Sequence, residues 1–363
     1  MADIQIDVLE RQPFAGSSTS DMRPHTCDPG TRKVSRVMLR TAVCEVLGVE
    51  HPVGNAGMAG VAQARLCAAV AGAGGIGTVA MGGASAAEVT ERVAAVKALT
   101  DRPFSANFIA WLIEDDSAPL DAALEAGVSS ITLSFGDPAP YVDRVHAAGS
   151  LLLSQVQTVE AARRSAEIGV DVLIAQGNDA GGHTGEIPLL PLLPQVVDVA
   201  DTVPVLAAGG VGDGRGLAAV IMLGAQGALM GTRFIASDEA ESDWPRLPAQ
   251  VLDASADDSV WTTAIDIAQG SGRSYWPRGI GARSIRTPWL DRWAGHEDEL
   301  AARLAEDRET DHAGGSDPTP AYAGPVAGMV TRHEPAADIV RSVAAEAAGV
   351  LESSRRLLHS RAQ

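Results

Sequence analysis

Lysine is nearly missing from this chain of 363 residues, with only Lys33 and Lys97 present. Lys33 falls in a polar N-terminal stretch and Lys97 near the end of a predicted helix, so Schiff-base chemistry has no well-placed nucleophile. Cysteine is also sparse. Cys27, Cys44 and Cys67 stand at wide, odd spacing that supports neither a disulfide framework nor a metal knuckle. A reducing cytoplasm is the expected compartment. Basic residues are outnumbered 28 to 46, and the formal charge of −18 disfavours nucleic acid and anionic membranes as partners. No apolar run approaches the roughly 20 residues of a membrane helix. The first residues lack the basic-then-apolar order of a signal peptide.

Hydrophobic residues make up 46% and charged residues 20%, enough for a sizeable core. Residues 1–37 are polar and aperiodic and are expected to form a disordered extension. From about residue 50, short apolar runs alternate with Ala-rich amphipathic stretches. The pattern predicts strands at 52–57, 76–80, 104–109, 130–134, 151–155, 171–176, 203–208 and 227–230. Helices are predicted near 61–73, 86–99, 117–126, 139–148, 158–168, 190–201 and 213–224. Near-continuous apolar strands separated by helices imply a parallel sheet covered on its faces. Eight such units predict an α/β fold, a (β/α)8 TIM barrel, spanning 38–236. The eighth helix is displaced to 336–358, within a returning segment 320–363. Residues 237–319 are then a mostly helical subdomain inserted between the eighth strand and the last helix, acting either as a lid or as a rigid cap.

Gly72-Ala73-Gly74-Gly75-Ile76-Gly77 matches the dinucleotide fingerprint by letter. The fingerprint requires a strand before it and a helix after it. Here the helix comes first, so these glycines are expected to make a tight helix-to-strand turn.

In a parallel barrel the functional loops follow the C-terminal ends of the strands. After the seventh predicted strand comes Ala207-Ala208-Gly209-Gly210-Val211-Gly212-Asp213-Gly214, and after the eighth Met230-Gly231-Thr232-Arg233. Small residues there let backbone N–H groups approach an anion, and the helix starting near Asp213 would add a positive dipole end. Together the two loops point to a phosphorylated ligand. The loop after the sixth strand is Gln176-Gly177-Asn178-Asp179-Ala180-Gly181-Gly182-His183. Gly181 and Gly182 leave room for a flat ring, and His183 is a candidate base, the alternative being a structural His that caps a helix. Asn107 and Gln155 end two further strands and suit the polar edge of a heterocycle, or simply brace loops. No second His or Cys stands at ligand spacing from His183, so no metal site is expected. Trp244, Trp261, Trp276 and Trp289 are lid or packing aromatics.

These residues resemble the nitronate monooxygenase (2-nitropropane dioxygenase) family. The resemblance rests on GMAGVAQARLCAAVAGAGGIGTV, FSANF, SFGDP, AQGNDAGGHTG and VPVLAAGGVGDGRGLAAVIMLGAQGALMGTRF, and more loosely on YAGPVAGMV. It implies a TIM barrel holding FMN. The phosphate would meet backbone at Gly210, Gly231 and Thr232. The isoalloxazine would meet the Met58 backbone, Asn107, Gln155 and the loop 176–182, and His183 would be the catalytic histidine. The implied reaction is oxidation of alkyl nitronates by O2 to a carbonyl compound and nitrite. The expected partners are that small-molecule substrate and O2, and the chain is expected as a monomer or homodimer. The same loop occurs in FMN-dependent NAD(P)H reductases acting on enoyl thioesters or quinones. Gly57, where the family often has Pro before the Met, and Ala323-Gly324-Pro325-Val326 depart from the family pattern on the substrate side.

Overall fold

The computed structural model describes residues 39–270, 272, 274–306 and 319–354. The predicted extension 1–37 and the end of the last predicted helix, 355–358, lie outside the described residues. Eleven strands are described: β1 (Val53–Asn55), β2 (Gly77–Ala80), β3 (Phe104–Ile109), β4 (Ser130–Ser134), β5 (Leu151–Val156), β6 (Val172–Gln176), β7 (Gly182–Thr184), β8 (Val205–Ala208), β9 (Gly227–Met230), β10 (Ser259–Thr262) and β11 (Gly281–Ile285).

Eight of them form one parallel sheet in the order β2-β3-β4-β5-β6-β8-β9-β1. A single parallel bridge, Gly54 to Ile76, joins its two ends and closes a TIM-type barrel. All eight predicted strands are present. The seven predicted helices follow them, the fourth entering through a short 3-10 turn. The turn after the helix Ala64–Gly72 has Gly74 at φ +79° and leads straight into β2. A Cβ at Gly77 would lie 2.5 Å from the Cys67 carbonyl, so these glycines serve close packing of helix on strand.

Side chains alternate across each strand, and this sorts the barrel interior into layers. Leu153, Val172, Ile174, Leu206 and Leu229 fill the lower interior. Two residues further along β5 and β6, the same face carries Gln155 and Gln176. The mouth is therefore polar where the floor is apolar. The bottom is plugged by Val43, Cys44, Leu47 and Val49, from a helix Ala42–Leu47 and the turn after it. The sequence reading missed that helix. It has six residues and no side-chain cap, too short for a periodicity to show.

The closing seam depends on Asn55, which is fully buried. Its Oδ1 accepts the Thr78 N–H at 3.0 Å, and its Nδ2 donates to the Thr78 carbonyl at 2.7 Å. The amide thus bonds the neighbouring strand as a backbone unit would. The last helix, Ala336–Ser354, returns to the barrel and packs on the helix Gly214–Met222. A Cβ at Gly214 would fall 2.4 Å from Glu346 Cβ.

The inserted segment 237–319 carries the helices Leu247–Asp253, Ala264–Gln269, Pro288–Trp293 and Glu297–Glu306, but most of its described residues lie outside them. It also contributes strands. β10 and β11 pair antiparallel, and β11 pairs with β7, the strand that carries His183. Three strands of three to five residues, one of them more than 70 positions away, leave no alternation long enough to read.

Arg233, in the short helix Thr232–Ile235, pairs with Glu334 of the returning segment, and Arg332 joins the same carboxylate at 2.6 Å. Burial alone would raise the Glu334 carboxyl, but hydrogen bonds from Arg233 and Arg332 outweigh it and hold it below its ordinary range. A lowered folded value means that the cluster stabilises the fold above the ordinary glutamate range. That contribution is lost as pH falls through the lowered value. Glu334→Gln should lower stability by about 2 kcal/mol at neutral pH. The gap to wild type should shrink on acidification, and a gap that stays constant into strong acid would contradict the pairing. Asn55→Ala leaves both Thr78 backbone groups unpaired in a buried seam. It should cost about 3 kcal/mol, read as a lower urea midpoint with an unchanged slope. An unchanged midpoint would show that the Gly54–Ile76 bridge suffices.

Candidate active site

The barrel mouth opens into a cavity that gathers the predicted residues. Met58, Asn107, Gln155, Gln176, Gly181, Gly182, His183, Gly209, Gly210, Gly231 and Thr232 all line it. They do not all present free groups. Gln176 Oε1 accepts from Gln157 Nε2, and Gln176 Nε2 donates to the His183 carbonyl. Its amide braces the histidine loop. The Met58 N–H donates to the Ala56 carbonyl, while its own carbonyl accepts from Val61 and Ala62. Its backbone is engaged within its own turn. Asn107 donates Nδ2 to Ser134 Oγ at 2.9 Å and to the Thr132 carbonyl, so its oxygen is the end left for a ligand. Gln155 forms no side-chain hydrogen bond among the described residues and presents its whole amide.

The glycines divide in the same way. A Cβ at Gly181 would meet Ala323 Cα at 2.6 Å, and one at Gly209 would meet the Ala180 nitrogen at 2.8 Å. Those two let loops pack on one another. Gly182, at φ +73°, faces open space, and unlike Gly181 it leaves room for a ring. At the strand ends, Thr232 Oγ1 accepts the Gly324 N–H at 3.0 Å, which turns its own proton away from Gly324. The Gly210 and Gly231 N–H groups are not taken up by backbone carbonyls among the described residues. The helix starting at Gly214 does not add the expected dipole end. Its first N–H groups are capped by the carboxylates of Asp213 and Glu346, which leaves no room for a further anion.

His183 sits in the wall of this cavity, 12% exposed. Its backbone is fixed by pairing with Ala282 of β11. Its ring stacks on Trp276 at 3.7 Å and 16°. Its Nε2 lies 2.8 Å from Oδ1 of Asp266, a fully buried residue of the helix Ala264–Gln269. The Trp276 ring is held edge-on by Phe135 and Trp111. Phe135 itself has φ +58°, a strained value for a bulky residue and one met at sites where geometry is enforced. Tyr322 lies across the His183 ring at 5.5 Å. Burial, with Asp266 adding to it, pushes the Tyr322 phenol well above its ordinary range, so it stays protonated. Trp244 and Trp276 line the cavity, whereas Trp289 is buried packing and Trp261 donates its indole N–H to Thr184.

Sequence reasoning missed Asp266, Trp276 as a stacking partner, and Tyr322. One signal was present. Ala264-Ile265-Asp266-Ile267-Ala268 places a carboxylate inside an apolar run, where a charge needs a partner. Lys97 donates to the Ala126 carbonyl, away from the cavity. Among the described residues, no group of three or more His, Cys, Asp or Glu is placed to hold a metal, and no helix is long and apolar enough to cross a membrane.

A glycine-lined slot, unpartnered amide groups and hydroxyl and N–H donors at two strand ends fit a flat, phosphorylated cofactor. The fold and site define a TIM-type barrel with a cofactor-sized cavity at its mouth. The family model for nitronate monooxygenase matches residues 40–346, and the chain belongs to that family. The chain is 33% identical over 247 residues to a probable nitronate monooxygenase of Staphylococcus saprophyticus, covering 56% of this chain and 70% of that one. It is 39% identical over 231 residues to a (3aS,4S,5R,7aS)-5-hydroxy-7a-methyl-1-oxo-octahydro-1H-indene-4-carboxyl-CoA dehydrogenase of Mycobacterium tuberculosis. That match spans 63% of this chain and 64% of the dehydrogenase, under two thirds of its length. The structure of FabK from Thermotoga maritima superposes with a TM-score of 0.77 at 30% identity, covering 88% of this chain and 99% of that one.

Gly182→Ala tests the slot. An L-residue at this φ costs about 1–2 kcal/mol, and its methyl would project into the opening. The variant should fold, by circular dichroism, and purify with less flavin than wild type. Full flavin content would show that the slot lies elsewhere.

Proposed function

We propose that the chain is an FMN-dependent oxidoreductase acting on carbon acids, with nitroalkanes and their nitronates as its substrates and His183 as the base. One observation carries this reading: among the described residues that line the cavity, which include no Lys or Arg, His183 is the one basic side chain. The Gly210, Gly231 and Thr232 donors support a single terminal phosphate, hence FMN. Bound FMN supplies the electron acceptor for oxidation at carbon, which no side chain here can supply. Asn107 and Gln155 orient the ring edge, and Gly182 lets it lie close to His183. Apolar walls from Trp244, Trp276, Leu247 and Val326 exclude water from the substrate side. His183 takes the α-proton of a neutral nitroalkane onto its ring nitrogen, leaving the electron pair on carbon and the nitro oxygens. A preformed nitronate bypasses that step. For nitronates the co-substrate is O2 and the products are a carbonyl compound and nitrite.

A second reading places the chain among NAD(P)H-linked enzymes of thioesters. Its support is the 39% identity to a CoA-thioester dehydrogenase, together with apolar walls that suit a bulky neutral group. The visible spectrum of the purified protein comes first, followed by anaerobic mixing. Bleaching by a nitroalkane or nitronate, with nitrite released on aeration, supports the first reading. Prompt bleaching by NADH or NADPH supports the second. His183→Ala should keep FMN and lose about a hundredfold or more of neutral nitroalkane turnover. Unchanged turnover of both nitroalkane and nitronate would remove His183 from the reaction.

A further inference from the structure

Asp266 belongs to the insertion, 83 residues from His183 in sequence, yet its carboxylate is fully buried against the imidazole. Burying a carboxylate is unfavourable unless a partner compensates. Its Oδ1 has such a partner in His183 Nε2, and its Oδ2 has none among the described residues. A carboxylate accepts and does not donate, so the shared proton sits on Nε2 in the neutral imidazole. His183 Nδ1 then carries the free lone pair, and no hydrogen bond occupies it among the described residues. Stacking on Trp276 and pairing of β7 with β11 hold the ring in this plane. The Tyr322 phenol also faces Asp266. It is neutral when protonated, so His183 is the ionic partner that Asp266 has among the described residues.

We propose that Asp266 is the positioning residue of the base: it holds His183 with its proton on Nε2, directs Nδ1 to the substrate, and stabilises the imidazolium formed after proton transfer. This rests on the reading of His183 as the base. In the step, the substrate C–H bond breaks and an Nδ1–H bond forms. The electron pair stays with the substrate, spread onto its nitro oxygens, and the positive charge on the ring faces the Asp266 carboxylate. The arrangement follows the logic of a buried carboxylate behind a catalytic imidazole, in which an Asn replacement keeps the geometry and loses most of the rate.

The test uses the flavin-loaded enzyme and two readouts. In protein labelled with 15N-histidine, the Nε2 proton shared with Asp266 should give a proton resonance far downfield of the amides. It should vanish in Asp266→Asn and in His183→Gln. In turnover, Asp266→Asn should lose about a hundredfold or more on a neutral nitroalkane, chiefly in kcat. Preformed nitronate should change by less than about threefold, and Asp266→Glu should recover part of the loss. A visible spectrum unchanged from wild type shows that the cavity is intact in each variant. Persistence of the downfield resonance in Asp266→Asn overturns the proposal, as does nitroalkane turnover close to wild type. If the resonance behaves as expected while wild type consumes neither nitro substrate, the positioning of His183 by Asp266 stands and the nitroalkane reading falls.

Discussion

Closure of the barrel between β1 and β2 depends on the Asn55 side chain, which bonds both backbone groups of Thr78 where the two strands share only one bridge. β1 is three residues long, too short to make that ladder with its own backbone. Closure matters because the cavity is lined from strands all around the barrel. Thr78, Asn107, Thr132, Gln155 and Gln176 face it from five neighbouring strands. Their relative heights follow from register, and register holds only if the seam does. The same alternation that puts Ile174 in the floor puts Gln176 at the mouth. The apolar interior and the polar rim are therefore one pattern read at two heights.

The insertion is less a cover over the mouth than a part of it. β11 fixes the backbone of His183, Trp276 fixes the ring plane, and Asp266 meets the ring edge. These contacts come from separate elements of the insertion, and all meet one histidine. An imidazole on a bare loop would sample several rotamers, and these contacts hold His183 in one. A lid that swung away would carry these contacts with it.

The barrel was legible because it is repetitive. Each strand shows as a compact apolar run, each helix as an amphipathic stretch, and the order of elements excluded the dinucleotide fingerprint at 72–77. The candidate residues were legible because barrel topology assigns them to strand ends before any side chain is placed. What each residue does there was less so. Gln176 and Gly181 lie in the predicted loop, but one braces it and the other packs it, and only contacts between distant segments separate bracing from binding. The helix starting at Gly214 shows the same limit. Its glycines suggested an open anion site, and Glu346, 132 residues later, fills it. Asp266 was missed for the complementary reason, since its meaning lies wholly in a partner 83 residues earlier.

The chain carries 28 Lys and Arg residues, yet none stands among the described residues that line the cavity. Anion binding then falls to uncharged donors, the Thr232 hydroxyl and the glycine N–H groups, at the strand ends where a phosphate would sit. Behind the His183 ring lies the buried Asp266 carboxylate. Its field would stabilise the imidazolium formed if the ring takes up a proton, and so would favour the charge separation in the proposed proton transfer from a neutral nitroalkane. A preformed nitronate needs no such transfer and would draw nothing from that field.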